Sequence, residues 1–421
     1  MRVLVLGSGG REHALCWALA RSPSVDEVVC APGNAGIAEV ARCVAVDATD
    51  TAMVRELAVR EAVDLVVVGP EAPLVAGVAD TLAVAEVPTF GPTRAAARIE
   101  ASKTFAKEVM AAAGVATAGY WSGTSPEEAK AALDGYQPPF VVKADGLAAG
   151  KGVRICLDRR EAEDAIDAAL VHRRYGSAGD RLVIEEFLAG PEVSAFAVCD
   201  GTRARLLATA RDYKRALDGD AGLNTGGMGA VSPAPGLPAG FDEHVQRAVF
   251  EPMMAELGRR GLPYVGVLYA GLVLTDGGPK VLEFNARFGD PETQVVLPRL
   301  RGDLGELLAA CAAGRLDTVG PLDFDERACV TVVLASGGYP GDYRTGLPIS
   351  GLEEAARSPD AIVFHAGTRV EDGRVVTAGG RVLSVSGMGA DVAAARRAAY
   401  AAADCITFEG LHRRSDIAAR I

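Results

Sequence analysis

A chain of 421 residues exceeds what one hydrophobic core of up to about 250 residues can organise, so three or four domains are expected. Its 43 basic and 55 acidic side chains leave a net charge of −12, which excludes the cationic footprint of a general nucleic-acid or membrane-surface binder. Eight cysteines without CxxC spacing point to neither a zinc site nor a disulfide framework; no run nears a membrane span, so a cytoplasmic protein is expected.

Residues 1–100 alternate short apolar runs (3–6, 28–30, 44–46, 65–68) with helical stretches (14–20, 53–60, 74–85), the pattern of a doubly wound parallel sheet. Glycine-rich turns at 7–10, 32–36 and 69–70 fall at strand ends, where such sheets form their ligand crevice. A helix from 101 ends near Gly114. It leads to a second unit, 118–190, with a helix near 126–133, a strand at 140–144, a glycine-rich loop, a strand at 153–157, a helix at 161–170 and a strand at 182–185, a layout suited to a lid. Strands at 204–208, 266–274 and 280–284 then flank a long polar loop (212–235) and a helix at 243–260. Loops of that length are usually functional or disordered, and Asp212, Lys214, Asn224 and Thr225 favour function here. The last segment, 326–421, has strands near 329–335, 362–365 and 381–386 and a helix at 392–406, which reads as a small α+β domain.

Four segments carry candidate chemistry. Gly7 to Glu12 joins a strand to a helix, where backbone amides and the helix dipole hold a phosphate; a plain tight turn fits the same residues. Glu12 replaces the third glycine of GxGxxG and no acid closes the second strand, which disfavours a dinucleotide. The loop Lys-Ala-Asp-Gly-Leu-Ala-Ala-Gly-Lys-Gly at 143–152 fits a phosphate-covering flap or a solvated hinge, and it fails the P-loop pattern because Gly152 stands where Ser or Thr is needed. In the strand ending Glu185-Glu186, adjacent side chains face opposite ways, so at most one carboxylate enters a given cleft. In 280–290, alternation sends Leu282 and Phe284 to the core and Glu283 and Asn285, about 6.6 Å apart, to the other face, where two oxygen donors can share magnesium with nucleotide phosphates. Arg287 continues that face and suits a carboxylate; an ordinary half-exposed strand is the alternative. The five histidines show no HExxH spacing and no GxSxG elbow occurs, so zinc-peptidase and serine-hydrolase chemistry lack support.

Taken together, Gly-Ser-Gly-Gly-Arg-Glu-His at 7–13, Ala-Pro-Gly-Asn-Ala-Gly at 31–36, Val-Gly-Pro-Glu-Ala-Pro-Leu at 68–74, the 143–153 loop, Asn-Thr-Gly-Gly-Met-Gly at 224–229, Glu-Phe-Asn-Ala-Arg-Phe-Gly-Asp-Pro-Glu-Thr-Gln at 283–294 and Gly-Gly-Tyr-Pro-Gly-Asp-Tyr at 337–343 resemble the phosphoribosylamine–glycine ligases, ATP-grasp enzymes of purine synthesis. The resemblance spans essentially the whole chain. It implies an α/β molecule with an N-terminal domain (1–100), a two-part ATP-grasp region (101–325) carrying the 118–190 lid, and a C-terminal domain (326–421).

It also implies ATP and Mg2+, with Mn2+ able to substitute, glycine and 5-phosphoribosylamine as substrates, and a monomer. By the same resemblance, Lys103, Lys143 and the flap (Gly146, Gly150, Lys151, Gly152) take the ATP phosphates, and Glu185, Glu186, Phe187, Leu188 and Glu192 frame the adenosine. Glu283 and Asn285 carry the metal, while Asp212 and Arg287 take the charged ends of glycine and, with Lys143, form the catalytic set. Gly9, Gly10 and Arg11 hold the ribosyl phosphate, and Asn34, Asn224 and Thr225 complete the substrate site. Departures from the family pattern fall at Tyr213, Leu223, Val231 and Ala286. Another ATP-grasp ligase acting on bicarbonate or formate, and an ATP-binding regulator without catalysis, are the rival readings.

Overall fold

The structure is a computed structural model describing residues 1–148 and 152–420. Five parallel strands open the fold: Arg2–Gly7, Glu27–Pro32, Arg42–Cys43, Leu65–Val68 and Thr89–Phe90, with the first strand central between the second and the fourth. Both faces are covered. Leu4 and Leu6 enter one apolar cluster and Val3 and Val5 another, which is why these strands read as unbroken apolar runs. The order reverses direction at Arg2–Gly7, so the crevice opens where Gly7 and Gly69 end adjacent strands. Two expectations change. The third strand is Arg42–Cys43 rather than 44–46, and the helix expected over 74–85 is two helices, Glu71–Ala76 and Val78–Val84, broken at Gly77 with φ 92°.

Helix Lys103–Ala113, capped by Ser102 and closed by Gly114 with φ 70°, leads to the lid. Its four-stranded antiparallel sheet includes Tyr120–Gly123, a strand the sequence pattern did not reveal, beside Leu182–Glu186, Phe140–Ala144 and Val153–Cys156. Phe140, Val142, Leu182 and Ile184 face a core belonging to the lid alone, so Lys143 and Glu185 fall on the opposite face.

The rest of the chain builds one continuous antiparallel sheet of eight strands. From its edge the order is Gly278–Asn285, Tyr264–Thr275, Glu192–Gly201, Ala204–Asp212, Gly229–Ser232, Ala328–Ala335, Arg381–Gly389 and Ala361–His365. The strand Glu192–Gly201 was not anticipated, and the long polar loop contains the hairpin Arg215–Leu217/Ala221–Asn224 and the strand Gly229–Ser232. The pairing of Gly229–Ser232 with Ala328–Ala335 carries the sheet into the C-terminal segment, which therefore extends the central layer. Its helix, Val392–Cys405, buries Ala395, Ala399, Ala402 and Ala403 in the core of that end. Among the described residues, no helix is long and apolar enough to cross a membrane.

Candidate active site

The candidate site is where the lid sheet meets the edge strand of the central sheet. Its most telling local feature is a β-bulge. Glu283 pairs with Gly271 and Val281 with Leu272, leaving Leu282 as an extra residue. Val281 and Phe284 are therefore the buried pair, and Leu282, expected in the core, is half-exposed. Its carbonyl accepts from Lys143 Nζ at 3.3 Å, joining lid to sheet. Beyond the bulge alternation resumes, and Glu283, Asn285 and Arg287 share the half-buried face as expected.

Lys143 Nζ lies 2.8 Å from Glu185 Oε2, and Glu185 Oε1 lies 3.1 Å from the ammonium of Lys107. Lys107, one helical turn after Lys103, is 1% exposed and donates to Thr117 Oγ1 at 2.7 Å. Burial pushes its amine down to about 8 against the opposing pull of Glu185. The sequence reading missed Lys107; the Lys103/Lys107 spacing of four on an amphipathic helix was the available signal. Lys103 Nζ has only the carbonyls of Asp145 and Gly146, at 3.5 and 3.3 Å, and forms no ion pair among the described residues. Asp145 accepts from Thr104 N–H at 2.6 Å and Ser102 Oγ at 2.9 Å, pinning the start of the flap to that helix. A Cβ on Gly146 would lie 2.8 Å from the backbone of Ala178, so this position takes glycine. Gly152 accepts from Ala144 N–H at 2.8 Å. Gly150 and Lys151 lie outside the described residues.

Glu186 points away from Glu185, as the strand period requires, and accepts from Gly119 N–H at 2.9 Å. Phe187 is 39% exposed, and the backbone of Phe187 and Leu188 pairs with no strand, leaving edge groups for a heterocycle. Glu192 lies at the start of the central sheet and receives Lys214 Nζ at 2.7 Å.

Burial raises the Glu283 carboxyl, but the field of Lys214, Lys143, Lys103 and Arg287 outweighs it and holds the group ionised. Neither Glu283 nor Asn285 makes a side-chain hydrogen bond or ion pair to the described residues. Two uncommitted oxygen donors on one face suit a hard divalent cation that keeps several other ligands. No cluster of three or more His, Cys, Asp or Glu able to form an all-protein cage occurs among the described residues.

Asp212 is pushed up to about 7 by burial, opposed by Lys214 and reinforced by Glu292, Glu192 and Glu283. Thr225 folds the loop, its hydroxyl donating to Lys214 O at 2.8 Å and accepting from Gly227 N–H at 2.9 Å. Asn224 is half-buried opposite Arg215 in the hairpin. Arg287 is already engaged: Nε meets Glu71 at 3.2 Å, Nη2 meets Glu100 at 3.1 Å and Nη1 donates to Phe288 O at 3.2 Å. About two of its five N–H groups stay open to a ligand.

At the crevice, a cleft of about 400 Å3 is lined by Gly7, Ser8, Gly9, Arg11, Asp47, Thr49 and Asp290 among others. The phosphate turn differs from expectation. Glu12 folds back so that Gly9 N–H donates to its Oε2 at 2.6 Å and Arg11 Nε to its Oε1 at 2.5 Å. Cβ atoms on Gly7, Gly9 and Gly69 would each fall within 3 Å of that carboxylate side chain. The glycines thus make room for Glu12, and Arg11, 6% exposed, also donates to Phe288 O at 3.1 Å. Asn34 is likewise committed to structure: its Oδ1 caps Gly36 and Ile37, and its Nδ2 donates to Ser8 O and His365 O at 2.8 Å each. The sequence reading also missed Arg381, whose Nη1 donates to Gly226 O at 2.6 Å and Asp290 O at 2.8 Å.

Lys103 on a helix, Lys143 on the lid sheet and Lys214 in the long loop all act on one ionised carboxylate, and with this layer order they define an ATP-grasp enzyme, a class that uses ATP and a divalent metal. Phosphoribosylglycinamide synthetase family models match the N domain over residues 1–100, the ATP-grasp (A) domain over 101–293 and the C domain over 329–420. The phosphoribosylamine–glycine ligase of Streptomyces coelicolor is 55% identical, spanning 100% of this chain and 99% of its own; that of Ralstonia nicotianae is 49% identical over 100% and 99%. The crystal structure of the Thermotoga maritima phosphoribosylamine–glycine ligase matches with TM-score 0.86 and 35% identity, over 99% of this chain and 100% of that one. Biotin carboxylase from Campylobacter jejuni, at 14% identity and TM-score 0.74 over 98% and 92%, shares the fold alone. The chain belongs to the phosphoribosylglycinamide synthetase family.

Proposed function

We propose that this protein joins glycine to 5-phosphoribosylamine at the expense of ATP, giving glycinamide ribonucleotide, ADP and phosphate. A glycine carboxylate oxygen attacks the γ-phosphorus, and the bridging oxygen leaves with ADP. The amine nitrogen of phosphoribosylamine then attacks the carbonyl carbon of glycyl phosphate, phosphate departs with the C–O bond electrons, and the nitrogen loses a proton. Phosphoryl transfer depends mainly on positioning and charge neutralisation. Lys103, whose ammonium has only carbonyl partners among the described residues, and Lys143 serve the phosphates with the flap that includes Gly146, Gly150, Lys151 and Gly152. Glu283 and Asn285 hold magnesium, which manganese can replace, and the metal supplies charge neutralisation on the phosphate oxygens.

The edge groups of Phe187 and Leu188 take the adenine and Glu192 the ribose. Glu185 acts by orienting Lys143, and Glu186 by fixing Gly119 at the start of the lid. Asp212 receives the ammonium of glycine and the open N–H groups of Arg287 its carboxylate, with Asn224 beside them. The ribosyl phosphate enters the Gly7–Asp290 cleft, where Glu12 occupies Gly9 N–H and the rim at Ser8 and Thr49 offers the available contacts, whereas Gly10, expected to hold the phosphate, is buried against Gln294 and does not line the cleft. No general base is required, because a neutral amine is nucleophilic enough toward an acyl phosphate. The protein acts as a cytoplasmic monomer on small molecules, without nucleic acid or membrane.

The observation that carries this reading is the uncommitted Glu283 carboxylate within the field of three lysines. Phosphate release in the presence of ATP and magnesium, with each component omitted in turn, tests it. Release that needs both glycine and phosphoribosylamine, with glycinamide ribonucleotide seen by mass spectrometry, is expected. Equal release with bicarbonate in place of glycine refutes the named acid.

A further inference from the structure

Among the described residues, the largest fully buried side chain is a charged one, Arg414, far along the chain from any motif assigned above. Its Nε and Nη2 donate to the two oxygens of Asp416 at 2.7 and 2.8 Å, while Nη1 donates to Asp220 at 2.8 Å and to Arg215 O at 3.2 Å. Neighbouring residues join the grip. Ser415 N–H donates to Asp218 at 2.8 Å, Gly219 N–H to Asp416 at 2.8 Å, and His412 Nε2 lies 2.8 Å from Ala216 O. Segment 412–416 therefore holds residues 215, 216, 218, 219 and 220, nearly the whole first arm and turn of the hairpin.

The hairpin needs such a hold. Leu217 and Leu223 are 49% and 67% exposed, so it has no core of its own, and isolated two-stranded hairpins are marginal. Its turn places Gly219 at φ 69° and Asp220 at φ 54°, a left-handed conformation that a side-chain-bearing residue keeps only when its surroundings fix it. The link to chemistry is the residue period. Tyr213 buries its ring in the C-terminal core beside Met228 and Ile417, with the Arg414 guanidinium 5.4 Å from the ring centre. Its neighbours Asp212 and Lys214 are thereby turned to the opposite face, toward Glu192, Glu283 and Glu292.

We propose that Arg414 is a positioning residue for the glycine site, with segment 412–416 clamping the 212–224 loop so that Asp212, Lys214 and Asn224 hold their places. The proposal rests on the reading that this loop meets glycine. Lysine cannot replace Arg414, because one ammonium cannot make a bidentate bond to Asp416 and also reach Asp220 and the Arg215 carbonyl.

Steady-state ADP release by the full-length enzyme tests it, with glycine and ATP varied separately in wild type, Arg414→Lys, Asp220→Ala and Asp212→Asn, and with melting curves for each. Arg414→Lys is expected to raise KM for glycine about tenfold while KM for ATP stays within about twofold, because small misplacements of one subsite act on its own ligand. Asp220→Ala, which removes a largely exposed partner, is expected to shift the glycine KM in the same sense by a smaller factor. If Arg414→Lys does not fold, the Asp220→Ala shift decides. Loss of kcat in proportion to folded protein, with both KM values unchanged, overturns the clamp. If Asp212→Asn raises the glycine KM and neither clamp variant does, the loop reading stands and the clamp falls. If Asp212→Asn leaves it unchanged while Arg414→Lys raises it, the role of Asp212 falls and the clamp on the loop stands.

Discussion

Replacing His13 and His365 by asparagine should remove much of the protein's acid sensitivity between pH 7.5 and 5. The two rings lie 5.7 Å apart where helix Gly10–Leu19 meets strand Ala361–His365, 5% and 4% exposed. His365 N–H donates to His13 Nδ1 at 2.8 Å, so that nitrogen must be unprotonated, and His365 Nδ1 meets Thr368 Oγ1 at 3.1 Å. Burial, aided by the neighbouring His365, pushes His13 down to about 3, and burial pushes His365 down to about 4. Both groups therefore bind protons in the unfolded chain before they do so in the folded one. The folded state loses stability as pH falls below the unfolded value of about 6.5, and the loss levels off only near the folded values. At pH 5 each histidine costs about 2 kcal/mol and the pair about 4 kcal/mol; raising both folded values by one unit lowers the sum only to about 3.5 kcal/mol. That is a large part of a typical stability of about 5–15 kcal/mol.

Trp17 provides the assay. Its ring lies edge-on to Phe364 at 5.9 Å, so its fluorescence reports this seam. The only other tryptophan, Trp121, is in the lid and can be changed to Phe in the background. Urea unfolding at pH 7.5 and 5 should show the double variant starting lower, through lost ring packing, but falling about 4 kcal/mol less than the parent between the two pH values. Equal falls in both proteins would refute the linkage.

Arg287→Met leaves Glu71 and the buried Glu100 without their shared cation and should cost about 3–5 kcal/mol in chemical denaturation. Because burial already raises Glu100, its protonation in the folded state relieves the defect, so the loss should be smaller at pH 5.5 than at pH 8; the opposite order would count against it. Lys107→Met should leave the melting temperature at pH 7 unchanged or higher, since carrying that buried charge costs stability there in full and the cost lifts only as pH rises from about 8 toward the unfolded value of about 10.4, yet raise KM for ATP as Glu185 draws Lys143 inward. A lower melting temperature with unaltered ATP KM would contradict this. Glu283→Gln should cut ADP release about 10²–10³-fold while nucleotide binding in EDTA, measured by calorimetry, persists.

Much of this was legible because period and punctuation are local. The N-terminal sheet, the lid helices and the shared face of Glu283, Asn285 and Arg287 follow from alternation and from glycines at strand ends. The bulge at Leu282 was not legible, since it is a matter of register against Gly271 and Leu272 on another strand, and alternation alone assigned Leu282 to the core. The missing strands fail for a related reason. Tyr120–Gly123 is four half-buried residues whose pairing with Leu182–Glu186, far away in sequence, makes them a strand. Glu192–Gly201, buried on nearly its whole length, offers no alternation to read.

Functional assignment is hardest where a residue type serves two roles equally well. Arg and Asn present several hydrogen-bonding groups in a fixed plane, which suits a carboxylate or phosphate ligand and suits a seam between chain segments just as well. Asn34 bonds His365, 331 residues away, and Arg287 bonds Glu71, 216 residues away; nothing local distinguishes these from ligand contacts. Glycines behave alike: Gly9 reads as an approach point for a phosphate and Gly7 and Gly69 as turns beside the crevice, whereas Glu12 fills the space all three leave. Lysines lend themselves to local reading. Lys103 and Lys143 follow a helix cap and a strand end, positions that aim a flexible cation into a cleft whatever its distant partners are. On the proposed function, the groups assigned to phosphate are thus set by local geometry and those assigned to substrate by contacts between remote segments. Substitutions at Lys103 and Lys143 should consequently act on nucleotide alone, and those at Arg287 on stability and glycine together.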